Sequence, residues 1–220
     1  MSTLNIRCVA RSKADAMRAY NQLSRWYDWA AAAERPYRSQ GITLLNPQPG
    51  EKIIEIGCGT GTSLVTLAQA AGAEGHVYGL DLSPGMLAVA NRRITITGLS
   101  NCTTLIWGDA ARLPYADHSF DAVFMSFTLE LFDTPNLPLI LTEVKRVLRE
   151  NGRFCVVALS KEKGGIITSL YELFHDTFPA YADCRPIFAR KLLVEQGFRV
   201  VDGRHASMFG LPVEIILATI

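Results

Sequence analysis

The sequence predicts an α/β fold: a doubly wound, mostly parallel sheet of seven strands, preceded by a helical N-terminal attachment. Three observations predict it. Short apolar runs alternate with helical patterns from residue 52 onward, a glycine-rich turn joins the first run to a helix, and acids close three successive runs. Residues 12–33 carry a helical pattern, with Met17, Tyr20, Ser24, Tyr27 and Ala31 on one face. Residues 35–46 read as a second helix, stopped by Asn46-Pro47 and the Pro49-Gly50 turn.

Residues 53–56 form the first buried strand, and the helix after it turns Leu64, Leu67, Ala68 and Ala71 inward. The second strand covers 77–80; Ser83-Pro84 then opens a helix, with serine as N-cap and proline at the first helical position. Strands follow at 103–107 and 120–125. A helix over 137–148 puts Ile140, Val144, Val147 and Leu148 on one stripe, and 154–158 is the fifth strand. This alternation implies parallel strands covered by helices on both faces. The last third holds a helical stretch through Phe174, another over 186–196, and terminal strands at 198–201 and 213–218. No linker, repeat or low-complexity tract divides the chain, so 1–220 reads as one domain.

Composition excludes several classes. The 220 residues carry 22 Lys+Arg against 21 Asp+Glu, a net charge of +1, which argues against bulk electrostatic binding of nucleic acid. An apolar fraction of 49% excludes disorder. A chain this long buries roughly 70% of its unfolded surface and needs no staple. Five cysteines, scattered and never in CxxC spacing, suit a reducing cytosol and give no zinc signal, so no metal is expected. Asn5, Arg7 and Arg11 precede any long apolar run, unlike a secretory signal. The longest uncharged stretch, 56–73, holds four glycines, three threonines, a serine and a glutamine, too polar for hydrocarbon. A mean hydropathy of +0.14 leaves membrane-surface contact open.

The feature richest in chemistry is Glu55-Ile-Gly57-Cys58-Gly59-Thr-Gly61, between the first strand and its helix. Glycines permit the sharp turn and a close ligand, and the helix N-terminus offers unpaired N–H groups. Glycine turns also occur without a ligand, so spacing has to discriminate. A dinucleotide fingerprint beginning at Gly57 needs glycine at 62, where Thr62 stands. Glu55 would repel a pyrophosphate but can accept from an ammonium. Asp81, twenty residues after Gly61, can accept from vicinal ribose hydroxyls. Asp109, after the third strand, can accept from an adenine amino group. Three acids on one sheet edge suggest a nucleoside with a cationic tail.

These residues resemble the class I S-adenosylmethionine-dependent methyltransferases, a Rossmann-like family. The likeness runs from about residue 20 to residue 157 through the motifs at 55–61, 79–86, 108–110, 113–121 and 143–152. Within the superfamily the chain looks like the ubiquinone/menaquinone-biosynthesis C-methyltransferases and related lipid methyltransferases. That closer likeness rests on Leu113-Pro with Phe120-Asp121, Arg146-Val-Leu148, and the aromatic-basic pair Tyr37-Arg38. The C-terminal third, at 181–186 and 210–215, departs from those enzymes, so the acceptor stays open.

The resemblance implies S-adenosyl-L-methionine as cofactor and S-adenosyl-L-homocysteine as product. It implies that Glu55, Gly57, Cys58, Gly59 and Gly61 hold the methionine moiety, and Asp81 the ribose. Leu82 and Met86 would lie on the adenine face, with Gly108, Asp109 and Ala110 at its edge. Ser126 and Phe127 would line the transfer site, and Tyr20, Tyr27 and Arg38 would close over the cofactor. Residues 1–48 are then a helical lid, 49–160 the cofactor-binding core, and 161–220 the acceptor-side helices and terminal strands.

The expected reaction is methylation of a small or lipid-like acceptor, first a quinone precursor at carbon. The alternatives are N-methylation of an amine or phospholipid headgroup, and a non-catalytic partner protein that keeps the fold. A nicotinamide-dependent oxidoreductase is disfavoured by Thr62 and Glu55. Methyl transfer needs no protein nucleophile, but a phenolic acceptor must lose a proton. Candidates for the base are Glu130, His175 and His118, each of which also has an ordinary surface or turn reading. Trp26, Trp29 and Tyr37, beside Arg25, Arg35 and Arg38, suit either a membrane surface or local core. The expected location is cytoplasmic, with peripheral membrane contact an open option; oligomeric state is not legible.

Overall fold

The computed structural model describes residues 17–18, 31–162 and 185–220. The predicted helix over 12–33, apart from helical Met17 and Arg18 and the 3-10 turn Ala31–Glu34, and the one through Phe174 lie outside these, with Tyr20, Tyr27, Trp26, Trp29 and His175. Helix α1 (Arg35–Leu45) leads into β1 (Lys52–Ile56), α2 (Thr62–Ala71), β2 (His76–Asp81), α3 (Pro84–Ile96) and β3 (Thr103–Trp107). Then come β4 (Phe120–Ser126), α4 (Leu137–Val147), β5 (Leu148–Leu159), α5 (Ala189–Glu195), β6 (Arg199–Met208) and β7 (Leu211–Thr219). The strands order as β3-β2-β1-β4-β5-β7-β6 in one sheet. Strands β1 to β5 are parallel, and β7 runs antiparallel between β5 and β6.

The central strands are apolar on both faces because helices cover both. Ile54, Met125 and Val156 join one core with α4 and α5; Ile53, Phe124 and Val157 join the other with α1 and α2. Helix α1 lies close on the sheet because it offers Gly41 there: a Cβ at that position would sit 2.5 Å from Val157 Cγ2. Its C-terminus stops at Asn46, left-handed at φ 51°. Arg153 takes the freed carbonyls of Leu45 (2.9 Å) and Asn46 (3.2 Å) while pairing with Glu51. The Ser83 cap forms as the sequence predicts, its hydroxyl accepting from Met86 N at 3.1 Å.

Three boundaries differ from the sequence reading. Strand β5 begins at Leu148, directly after α4, and reaches 154–158 through a register shift against β4. Strand β6 continues to Met208 rather than stopping at 201. It is an edge strand whose Asp202–Ser207 segment is largely polar, so apolar alternation does not reveal it, yet it pairs with β7 throughout. Helix α5 is shorter than predicted because Ile187 instead bridges to Ser160. No helix among the described residues is long and apolar enough to cross a membrane.

Candidate functional site

The turn from β1 to α2 doubles back over the end of β2: Gly57 N and Cys58 N both donate to Leu80 O, at 2.8 and 3.1 Å. That path needs positive φ at Gly57 (72°), Gly59 (52°) and Gly61 (77°). Gly57 also lies against Thr128, so a Cβ there would meet Thr128 Cγ2 at 2.3 Å. Gly61 caps α2 without a side-chain bond, leaving the first amides of the helix facing outward.

Asp81, at the end of β2, organises this turn from the next strand over. Its Oδ2 accepts from Gly59 N and its Oδ1 from Ser83 N, both at 2.8 Å. Burial nonetheless holds its pKa above the ordinary value, since desolvation outweighs those bonds. The Leu82 amide acts on it as well, and of the carboxylate's roughly four lone-pair sites at least one remains for a hydroxyl donor.

Glu55 is buried beneath the glycine turn, and its Oε2 has no hydrogen-bond partner. Burial raises its pKa to about 8, against the Arg38 guanidinium and a hydrogen bond from Ser63; the Asp81 charge adds to the rise. Arg38, on α1, pairs at 2.8 Å with Glu34. Among the described residues the cation acting on Glu55 is thus shared with Glu34. A buried oxygen left in that state is costly unless a ligand satisfies it.

The third strand end is less open. Asp109 Oδ1 caps Ala111 N at 3.0 Å, Gly108 N donates to Asp81 O, and Ala110 is buried. Met86 is buried below the α3 N-terminus and Leu82 half-exposed. Ser126 ends β4 with its buried Oγ unpartnered. Phe127, at φ 50°, turns into the core and meets the Tyr37 ring edge-on at 6.5 Å. Tyr37 also donates its hydroxyl to Ser207 O, so this aromatic is tied to the sheet. Cys58 is buried, and burial pushes its thiol well above the usual range.

The three candidate bases separate. His118, at φ 54°, sits at the opposite edge of the sheet, its Nδ1 2.9 Å from Leu148 O. There it lines a cleft of about 580 Å³ with Glu51, Asp121, Arg149 and Arg153, whose charges pair among themselves. His175 lies outside the described residues. Glu130 lies in a 3-10 turn after β4, on the glycine-turn edge, fully buried.

Sequence reasoning misses several residues that build this edge. Arg93 Nη1 reaches from α3 to Thr60 O, Thr60 Oγ1 and Thr62 Oγ1, clamping the turn from outside. The Trp107 indole donates to Leu82 O at 2.9 Å while its ring is 64% exposed. Nothing in local periodicity marks such long-range contacts. The 143–152 motif, by contrast, acquires a structural meaning: Glu143 accepts from Leu113 N, and Arg146 binds Leu113 O, Tyr115 O and Asp117. Among the described residues no cluster of His, Cys, Asp or Glu could hold a metal ion.

A model described as a methyltransferase domain matches residues 53–152. That match spans a little under half of the chain and includes its central strands. The match begins in β1 and ends in the β5 entry, so it contains the glycine turn, Asp81, Asp109 and Glu130. The chain is 31% identical over 164 residues to a demethylmenaquinone methyltransferase of Symbiobacterium thermophilum, covering 74% of this chain and 61% of that protein. It is 39% identical over 116 residues to the Geobacillus stearothermophilus protein of the same name, covering 53% and 48%. It thus spans only 48–61% of these two curated relatives.

Solved structures share the methyltransferase fold. The geranyl diphosphate C-methyltransferase of Streptomyces coelicolor, determined with S-adenosyl-L-homocysteine, superposes with TM-score 0.71 at 14% identity, covering 84% of this chain and 77% of that one. The [4+2]-cyclase SpnF superposes with TM-score 0.74 at 16% identity, covering 96% and 98%. Because one of these neighbours is a cyclase, the activity has to be argued from the site itself.

Proposed function

We propose that the chain is an S-adenosyl-L-methionine-dependent methyltransferase that methylates carbon on a hydroxylated, quinone-precursor ring. The observation that carries the first half is Glu55, a buried acid with an unpartnered oxygen below a cradle of three left-handed glycines. A cofactor with an ammonium fits that oxygen, and its ribose fits the remaining lone-pair capacity of Asp81. The acceptor class is supported by the names of the 30–39% identical relatives.

Bound S-adenosyl-L-methionine supplies a methyl group on a positively charged sulfur. The protein's part is orientation and exclusion of water. Glu55 would receive the ammonium, and Arg38, whose charge acts on Glu55, would meet the methionine carboxylate. Asp81 fixes the ribose and, through Gly59, the turn that carries it. Asp109, Leu82 and Met86 frame the adenine, and Ser126 lies toward the acceptor. The 1–48 segment is the lid. N-methylation of an amine is the second reading, supported by the buried acid Glu130 after β4, whose Oε2 is unpartnered among the described residues.

The test is transfer of a labelled methyl group to a panel comprising reduced demethylnaphthoquinone, phosphatidylethanolamine and geranyl diphosphate. The proposal expects label on the naphthoquinone ring carbon. Label on the amine alone would replace the reading with its alternative, and binding of S-adenosyl-L-homocysteine without transfer would support a non-catalytic role.

A further inference from the structure

We propose that Glu130 is the catalytic residue on the acceptor side. Its Oε2 receives the hydroxyl hydrogen of a phenol- or naphthol-type ring and takes that proton as the ring is methylated. The inference rests on the methyl-transfer reading above and names the group that the reading leaves unassigned.

Position comes first. Glu130 follows β4 by four residues, in the turn whose Thr128 lies against Gly57 and whose neighbour Ser126 has an orphaned hydroxyl. It is fully buried. Its Oε1 is fixed by Leu159 N at 3.1 Å, at the end of β5, while Oε2 has no partner. A carboxylate serving only to tie β4 to β5 would have no reason to keep a second buried oxygen unsatisfied.

The surrounding charges tie it to the cofactor acid. Glu34 is close enough to raise the Glu130 pKa, and Glu34 pairs with Arg38, which in turn acts on Glu55. Glu130 therefore stands one ion pair away from the acid proposed to hold the cofactor ammonium. Among the described residues the cation acting on Glu130 is Arg185, and it is engaged with the turn itself. Its Nε donates to Glu130 O at 3.3 Å, Nη1 to Thr134 Oγ1 at 3.0 Å, and Nη2 to Phe132 O. Arg185 thus holds the turn in place, and Glu130 Oε2 is left unengaged by it.

With Arg38 held by Glu34 and Arg185 held by the turn, the unpartnered oxygen of Glu130 favours a hydrogen-donating acceptor over a carboxylate or diphosphate. The O–H bond breaks, its proton passes to Glu130 Oε2, and the electron pair enters the ring. The ring carbon forms its bond to the methyl group as the carbon–sulfur bond breaks, leaving a neutral thioether. The same carbon then loses its hydrogen as a proton to solvent, which restores the aromatic ring.

The groups facing Glu130 are its own amide, Leu159 N, Glu34 and Arg185; burial dominates them and raises the pKa to about 8. Because the base must be ionised, kcat/KM rises with pH up to that region and then levels. The cofactor's positive charge moves the limb downward.

The experiment compares wild type with Glu130→Gln and Glu130→Leu, each saturated with S-adenosyl-L-homocysteine, by calorimetric titration of 1-naphthol and 1-methoxynaphthalene. At a pH above about 8, where Glu130 is ionised, wild type should prefer 1-naphthol by about tenfold or more, the effect of one hydrogen bond to a charged group. Gln, whose single carbonyl oxygen is held by Leu159 N, presents an NH2 group in place of Oε2 and should lose most of that preference; Leu should abolish it. With S-adenosyl-L-methionine and 1,4-naphthalenediol, Gln should lower methyl transfer by about 100-fold or more and remove the ascending pH limb. An S-adenosyl-L-homocysteine affinity within about twofold of wild type certifies the fold. Should Leu fail that check, Glu130→Asp is read instead, with lowered turnover and a retained pH limb expected. A Leu variant that still prefers naphthol, or a Gln or Asp variant with wild-type turnover and pH profile, overturns the assignment. Wild type that binds naphthol selectively yet transfers no methyl group overturns the reaction reading instead, and absence of both overturns the two together.

Discussion

Replacing Asp81 by asparagine separates what the carboxylate does for the fold from what it does for the ligand. Two backbone amides, Gly59 N and Ser83 N, each point at a different oxygen of Asp81 from 2.8 Å. An amide side chain has one acceptor oxygen, so either orientation leaves one of these donors facing an NH2 group. Losing a buried partner costs about 1–3 kcal/mol. In a chain of this size each kcal/mol moves Tm by about 2–4 °C, so the unliganded variant should melt roughly 2–12 °C lower. Cofactor affinity should fall further, by about 10-fold or more, since one ribose acceptor is lost as well. Paired thermal melts with and without S-adenosyl-L-homocysteine measure both effects. A variant melting within about 1 °C of wild type, with unchanged ligand-induced stabilisation, would refute this view of Asp81.

Two further outcomes follow from the same edge. Glu55 has a folded pKa of about 8 against an ordinary value of 4.5, so the folded state binds its proton more tightly than the unfolded chain. Its contribution to stability is therefore complete below pH 4.5 and lost as pH rises toward 8, on the order of 1.4 kcal/mol for each pH unit between those two values. Glu55→Gln should flatten the decline in Tm of the unliganded protein between about pH 5 and pH 8.5, with Glu130 accounting for the remainder; an unchanged slope would count against a buried, ligand-awaiting acid. Gly57→Ala combines a left-handed φ of 72° with a Cβ 2.3 Å from Thr128, so it should cost roughly 2–5 kcal/mol of stability and abolish cofactor binding; wild-type urea denaturation would contradict the turn geometry.

Much of the cofactor edge is legible in the sequence because it is locally encoded. Strands buried on both faces read as short apolar runs, and Ser83-Pro84 announces α3 by chemistry that acts within four residues. The glycine spacing and the acids at 55, 81 and 109 fall on successive strand ends once the strands are placed. What escapes is non-local. Strand β6 exists because β7 pairs with it, not because its polar segment alternates. Arg93 reaches across 33 residues to the glycine turn, and Arg185 more than 50 to the turn after β4. Glu130 and His118 are indistinguishable as loop residues in sequence. Only the direction of β4 sends one to the glycine turn and the other to the far edge.

The central claim is that this edge takes an adenosyl sulfonium compound through an acid rather than a dinucleotide through its phosphates. Calorimetric titration of the intact chain with S-adenosyl-L-homocysteine and with NADH, at pH 7 in two buffers of different ionisation enthalpy, tests it most directly. The account predicts saturable binding of the adenosyl compound with a proton released, because an ammonium beside Glu55 lowers a pKa that stands near 8. It predicts no saturable NADH binding. Binding of NADH alone, or adenosyl binding whose heat is the same in both buffers, would contradict it.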